Sequence, residues 1–137
     1  MEEKATRKLF SNKTYEKRQT IMQQDTKDKT VFLKSDKIGE GELGSMLIRG
    51  FLKAMVEQEK LPSKIICVNS AVLLTTTNDE NDDALIALKD LQSKGVEIFS
   101  CGTCLDFYEK RDDLKVGVAG NAMDTIQTLL NTNTVTL

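Results

Sequence analysis

The 137-residue sequence contains no histidine, no tryptophan, one proline and only three cysteines. Without histidine, the chain cannot form a Ser-His-Asp triad, a Cys-His pair or a zinc site that uses imidazole. Three cysteines cannot complete a Cys₄ zinc site within one chain, and their odd number does not indicate a disulfide framework. The chemistry must therefore use thiols, carboxylates, hydroxyls, lysines or bound groups, and we predict neither a metal nor a cofactor.

Long apolar runs and an excess of positive charge are also missing. No apolar stretch approaches the roughly 20 residues of a transmembrane helix, and the first residues, MEEK, lack the apolar core of a signal peptide. Nineteen Lys and Arg against 21 Asp and Glu give a net charge of -2, whereas a protein held by phosphate contacts needs a basic surface. These absences predict a cytoplasmic protein that binds neither membranes nor nucleic acid.

The chain divides into a polar beginning and one domain. Residues 1–29 hold eight Lys and Arg against five Asp and Glu, with few apolar residues and no sustained helical stripe. This composition predicts a solvated tail or linker, with a docking arm for a partner as the alternative. With 39% hydrophobic residues overall, residues 30–137 are long enough to form a single core.

From residue 30 onward, predicted strands alternate with predicted helices. Short apolar runs predict strands at 31–33, 65–68, 96–100, 116–118 and 134–137. Apolar residues at three- and four-residue spacing predict helices from about 43 to 61, 84 to 94, 105 to 111 and 123 to 130. Continuously apolar strands between helices indicate a three-layer α/β/α domain with a mostly parallel sheet of about five strands.

The spacing Gly39-x-Gly41-x-x-Gly44 matches the dinucleotide-binding fingerprint literally. The fingerprint places its first glycine directly after the strand, whereas residues 34–38 intervene here. Glu40 and Glu42 also put negative charge where a pyrophosphate would bind. We interpret the segment as a turn that lets the following helix pack closely, with nucleotide binding as the alternative.

The motif Cys101-Gly102-Thr103-Cys104 is the strongest chemical signal. It follows a predicted strand, and open α/β sheets bind ligands at the carboxyl ends of their strands. A thiol that precedes a helix meets free backbone N–H groups, which favour the nucleophilic thiolate. We therefore predict Cys101 as the nucleophile and Cys104 as the thiol that resolves a disulfide or persulfide on Cys101. Two structural thiols, or a metal site shared between subunits, are the alternatives, and Cys67 is predicted to be buried and inert.

The segments around these motifs resemble the C-terminal domain of YedF-type proteins, which are sulfurtransferase-like proteins linked to selenium metabolism and belong to the broader DsrE-like group. The resemblance covers about residues 30–137 and is most specific around the cysteines. It is carried by Gly39–Gly44 running into Phe51-Leu52, by Val68–Leu74, by Gly95–Tyr108, and by Val116-Gly117 with Asn121.

The resemblance implies a DsrE-like fold and a function in sulfur relay. In DsrE-like sulfur-relay proteins, a cysteine after a Gly-Val-x-hydrophobic strand carries a persulfide and passes its outer sulfur to the next protein. By position this cysteine is Cys101. The resemblance also implies a homo-oligomer, a trimer or hexamer, and sulfur donor and acceptor proteins among which SirA/TusA-like proteins are candidates. YedF-type proteins begin with a SirA/TusA-like domain marked by Cys-Pro-x-Pro, and since this motif is absent, we expect that domain to be missing.

Three functional hypotheses follow. The first is a sulfur or selenium carrier that holds a persulfide on Cys101, with no cofactor. The second is a dithiol-disulfide redox protein that uses Cys101 and Cys104. Thioredoxin-like folds usually carry a cis-proline near the site, and the single proline, Pro62, lies at a predicted helix end. The third is a non-catalytic oligomeric subunit or regulator.

Overall fold

The structure, a computed structural model, describes residues 28–137. The tail predicted for residues 1–29 lies outside the described residues except for Asp28 and Lys29, and Lys29 is the first residue of a strand. The strands are β1 (Lys29–Leu33), β2 (Lys64–Cys67), β3 (Glu97–Cys101), β4 (Val118–Gly120) and β5 (Asn133–Thr136). The helices are α1 (Gly41–Val56), α2 (Val72–Thr76), α3 (Asp83–Ser93), α4 (Gly102–Phe107) and α5 (Ala122–Asn131).

The five strands form one sheet in the order β4-β3-β2-β1-β5, and every neighbouring pair is parallel. Ile65 of β2 lies between Val31 of β1 and Ile98 of β3. Because all strands run in the same direction, their carboxyl ends lie along one edge of the sheet. The loops that follow β1, β2 and β3 are therefore neighbours at this edge.

One face of the sheet carries the hydrophobic core. Helices α1 and α3 pack against each other, and Arg49 of α1 binds Asp82, the N-cap residue of α3, with Nη2 and Oδ1 2.7 Å apart. Asp82 also accepts a hydrogen bond from the backbone N–H of Leu85, which caps α3. The buried cluster joins alternate strand residues to the inner faces of both helices and includes Val31, Leu33, Ile65, Cys67, Ile98, Ile48, Leu52, Leu85 and Leu88.

Among the described residues, α5 is the helix on the opposite face of the sheet, where Thr125 and Thr128 lie near Ile66. Thr132, which follows α5, shares a 2.8 Å hydrogen bond with Thr30 of β1. The sequence predicted this helix from four apolar residues, yet Met123 is 82% exposed, Leu130 is 79% exposed, and Ile126 is also exposed. The apolar stripe of α5 thus faces away from the sheet. The three-layer α/β/α architecture is confirmed, with one thick helical layer and one thin one.

Several element ends differ from the sequence prediction. Helix α1 ends at Val56 rather than at Leu61-Pro62, because the residues from Glu57 to Lys60 are all polar and exposed and offer no buried face. Helix α4 begins at Gly102 rather than at Leu105, since β3 continues through Cys101, which pairs with Gly120 of β4.

The glycine-rich segment before α1 forms a turn, as predicted. Gly39 has a φ of 80°, a left-handed conformation that glycine adopts at little cost. Gly44 lies so close to the turn that an added Cβ would stand 2.8 Å from the carbonyl oxygen of Ile38. The left-handed backbone at Gly39 and the close packing at Gly44 therefore explain why these two positions are glycine.

Gly117 fixes the approach of β4 to β3, and we predict that Gly117→Ala destabilises the fold strongly. Its φ is 74°, and an added Cβ would overlap the carbonyl oxygen of Ile98. The substitution therefore combines backbone strain with displacement of neighbouring backbone. The loss of unfolding free energy can be measured by urea denaturation.

Gly95 provides the matched control for this substitution. It has a φ of 102°, but no atom lies within 4 Å of the position of an added Cβ. Gly95→Ala should therefore cost only the left-handed backbone strain, about 1–2 kcal/mol. An equal loss of unfolding free energy in Gly95→Ala and Gly117→Ala would contradict the close contact at Gly117.

Candidate functional site

The two cysteines of the predicted motif lie together at the carboxyl edge of the sheet. Cys101 is the last residue of β3 and the N-cap residue of α4, and Cys104 lies in the first turn of that helix. Both side chains are half-buried. The fully buried Leu105 anchors the six-residue helix in the core. The local fold thus holds two thiols at the edge where α/β sheets bind ligands.

Cys101 and Cys104 stand three residues apart at the start of α4, where each thiol influences the charge of the other. The pKa of Cys104 is raised, first by burial, which disfavours the thiolate, and then by the neighbouring thiol of Cys101. The negative charge that Cys101 can carry raises it further. These effects favour the protonated form of Cys104.

A backbone amide from the neighbouring strand opposes this effect. The N–H of Asn69 donates a hydrogen bond to Sγ of Cys104, with 3.0 Å between the atoms, and lowers the pKa of that thiol. Asn69 follows β2 and has a φ of 54°, a left-handed conformation that asparagine tolerates better than most residues. Within the described residues, Cys101 forms no side-chain capping bond with α4. The amide that contacts a thiol is therefore that of Asn69, in the turn after β2, and not an amide of α4.

An open groove of about 480 Å³ lies beside the cysteine pair. Its surface is mainly apolar, and it is lined by Val68, Asn69, Thr103, Cys104, Phe107 and Tyr108. Phe107 is 80% exposed, and its ring stands edge-on to that of Tyr108, with the ring centres 5.2 Å apart. Cys104 is a lining residue and Cys101 is not. The thiol that opens into the groove is therefore that of Cys104.

Arg111 holds α4 in place from its far side. Its Nε donates to Oδ1 of Asp106 at 2.7 Å, and its Nη2 donates to the carbonyl oxygen of Gly102 at 3.2 Å. The hydrogen bond from Arg111 lowers the pKa of Asp106. The guanidinium thus connects both ends of the helix that carries Cys104, and its charge is balanced by that carboxylate.

Cys67 differs from Cys101 and Cys104 in its burial. It is fully buried within β2 and belongs to the core cluster, and burial raises its pKa to about 12. The predicted burial is confirmed. Such a thiol remains protonated at neutral pH, which is consistent with the inert role predicted for it.

No metal site is evident in the part of the chain that the structure describes, since it brings together no group of three or more Cys, Asp or Glu side chains suited to hold an ion. Between residues 28 and 137, no helix combines the length and the apolar character needed to cross a membrane.

The sequence singled out Cys101 and Cys104, and the structure places both at the start of α4. It did not identify the Asn69 amide or the aromatic wall formed by Phe107 and Tyr108. A signal for the first was present, because an asparagine directly after a strand that neighbours β3 is suited to a left-handed turn at the same edge.

Comparison with known proteins supports the fold. The crystal structure of the YchN protein from E. coli superposes with a TM-score of 0.62 at 21% identity, covering 80% of this chain and 99% of that one. No protein-family model matches the sequence, and no curated protein matches it either. At this level of identity the similarity concerns the fold alone. YchN is a DsrE-like fold protein, so the chain has the DsrE-like α/β fold that its sequence resemblance implied.

Proposed function

We propose that this protein is a sulfur carrier of the sulfurtransferase-like type, which holds sulfur, or selenium, as a persulfide on Cys101. The observation that carries the proposal is the pair of half-buried thiols at the start of α4, beside an apolar groove. The DsrE-like fold and the resemblance of the cysteine segment to YedF-type proteins give further support.

The reaction needs only thiol chemistry. The Cys101 thiolate attacks the outer sulfur of a donor persulfide, so that a new S–S bond forms and the S–S bond of the donor breaks. The donor leaves as a thiolate with the bonding electron pair, and no net oxidation occurs. An acceptor thiolate then removes the outer sulfur from Cys101 in the same way. Because the nucleophile is itself an anion, a chain without histidine can perform this transfer.

The partners of this reaction would be a sulfur donor and a sulfur acceptor protein, with SirA/TusA-like proteins as candidates. The exposed Phe107 ring beside the groove supports contact with a protein, because aromatic residues are enriched at protein interfaces. The apolar stripe of α5 supports the homo-oligomer that the resemblance implies, since exposed apolar patches mark interaction surfaces.

A dithiol-disulfide redox protein is the second candidate, and one observation favours it. The spacing of Cys101 and Cys104 within one helical turn would also allow an intramolecular disulfide to form. Titration of the pair in defined redox buffers separates the two candidates. A reduction potential in the range of known oxidoreductases, together with catalytic disulfide reduction, would favour the redox protein.

We predict that incubation with glutathione persulfide adds one sulfur atom, about 32 Da, to the wild-type protein. The Cys101→Ser variant should not gain this mass, because it lacks the thiolate that attacks the donor. Intact-mass spectrometry under non-reducing conditions measures both proteins.

The matched control for this experiment is Cys67→Ala, which removes the buried thiol and should load like the wild type. A gain of one sulfur that persists in Cys101→Ser would exclude Cys101 as the carrier. If the wild type also fails to gain sulfur while it remains folded, the non-catalytic subunit becomes the better hypothesis.

The raised pKa of Cys104 gives a pH-dependent prediction. Replacing Cys101 by alanine removes both the hydrogen bond and the negative charge that raise this pKa. The pKa should then fall, and since only the thiolate reacts, Cys104 should be alkylated by iodoacetamide at lower pH than in the wild type. Alkylation rates between about pH 6 and pH 10, a range that spans the usual pKa values of thiols, measure the shift. Peptide mass spectrometry resolves the rate at each cysteine.

Cys67 serves as the internal reference in the same experiment. It should remain unlabelled throughout this pH range in folded protein and become labelled only in denaturant, because it is fully buried. An unchanged or higher midpoint for Cys104 in the Cys101→Ala variant would contradict the contact between the two thiols.

The predicted oligomer can be tested on the exposed stripe of α5. Light scattering coupled to size-exclusion chromatography should give the mass of a trimer or hexamer for the wild type. Ile126→Glu should shift it towards the monomer, because a charge in an apolar interface is costly. Gln127→Glu adds the same charge at an exposed neighbouring position and should leave the mass unchanged. A monomeric wild type would contradict this prediction.

A further inference from the structure

Cys101 and Cys104 differ in whether they line the groove. Cys104 lines the groove of about 480 Å³, whereas Cys101 lies at the end of β3 outside the set of lining residues. An acceptor that binds in this groove would therefore meet Cys104 before Cys101.

We infer that Cys104 takes the sulfur from Cys101 and presents it to the acceptor in the groove, so that the pair works as an internal relay. This inference rests on the proposed function and changes the role of Cys104 from a resolving thiol to the second carrier.

The placement of both cysteines in one helical turn makes the first step geometrically accessible. Cys101 is the N-cap residue of α4 and Cys104 lies three residues later, so that the two side chains are neighbours on the helix. An intramolecular thiol at such a distance reacts at a high effective concentration. Transfer within the pair therefore competes well with removal of the sulfur by an external thiol.

The step balances without an oxidant or a reductant. Cys104 starts as a thiol and Cys101 as a persulfide anion. The proton of Cys104 passes to Sγ of Cys101, and Sγ of Cys104 attacks the outer sulfur. A bond forms between Sγ of Cys104 and that sulfur, the bond between Sγ of Cys101 and the sulfur breaks, and Cys101 leaves as a thiol. The products are a persulfide anion on Cys104 and a neutral Cys101.

The surroundings of Cys104 suit it to carry the sulfur. The amide of Asn69 already donates to Sγ of Cys104 over 3.0 Å, which stabilises negative charge as the proton leaves. The groove offers space for an additional sulfur atom beside Cys104.

Attack at the inner sulfur is the competing reaction. It would join Cys101 and Cys104 in a disulfide and release hydrosulfide, and Cys104 would then be a resolving thiol. The two reactions differ in products, because the relay keeps the sulfur on the protein and the disulfide loses it.

The experiment locates the sulfur in the wild-type protein. The protein is loaded with less than one equivalent of glutathione persulfide, blocked with excess iodoacetamide at neutral to mildly alkaline pH and digested with trypsin. Residues 95–110 form one peptide with both cysteines, and fragmentation between Gly102 and Thr103 separates them. The sulfur should be found mainly on Cys104 in the wild type and on Cys101 in Cys104→Ser.

The second measurement is transfer to a cysteine-containing peptide as acceptor. Cys104→Ser should load at the wild-type rate but transfer about tenfold more slowly or worse, because the second carrier is missing. Cys67→Ala is the matched control, since it removes a thiol that is buried in the core and does not line the groove, and it should transfer at the wild-type rate.

Each outcome has a distinct meaning. Sulfur that remains on Cys101 in the wild type, together with unchanged transfer by Cys104→Ser, overturns the relay and leaves the proposed carrier intact. A disulfide with released hydrosulfide overturns the relay as well and makes Cys104 a resolving thiol. Failure of the wild type to gain any sulfur overturns the proposed function itself. Localisation in the wild type does not depend on the folding of any variant.

Discussion

Parallel pairing of β2 with β3 is the constraint on which the site depends. The register aligns Cys67 with Ser100, so that the turn after β2 and the start of α4 leave the sheet side by side. Asn69 can therefore donate its N–H to a sulfur 35 positions further along the chain. The same pairing buries Cys67 in the core while Cys101 and Cys104 remain at the edge. A shift of one residue in this register would move every side chain of the strand to the other face and separate the amide from the thiol.

The parts of this arrangement that follow from local sequence were predictable. The apolar run that ends at Ser100 predicted β3, and the position of Cys101 after it predicted a thiol at the carboxyl edge of a parallel sheet. The burial of Cys67 followed equally from its neighbours Ile65 and Ile66. These inferences need only periodicity and the rule that strands of a parallel sheet end at one edge.

The other features depend on contacts that sequence periodicity does not contain. The role of Asn69 requires a specific strand order and a left-handed backbone at one residue. The spacing of Met123, Ile126 and Leu130 predicted a helix. It did not predict whether the apolar face packs on the sheet or is exposed, because periodicity identifies an apolar face but not what contacts it. Which cysteine opens into the groove depends on how α4 is seated by Leu105 and Arg111, and no local pattern encodes this.

A chain without histidine must control its protons by the arrangement of the thiols themselves. Cys104 is held protonated by burial and by Cys101, and the Asn69 amide works against both. These opposing effects keep one thiol as a hydrogen-bond donor while the other is free to act as a nucleophile. When the proton moves from Cys104 to Cys101, burial disfavours the resulting negative charge on Cys104. The hydrogen bond from the Asn69 amide compensates for this effect. The same proton shift would also precede formation of a disulfide. Carrier and redox chemistry therefore share one geometry, and what separates them is which sulfur of a persulfide the second thiol attacks.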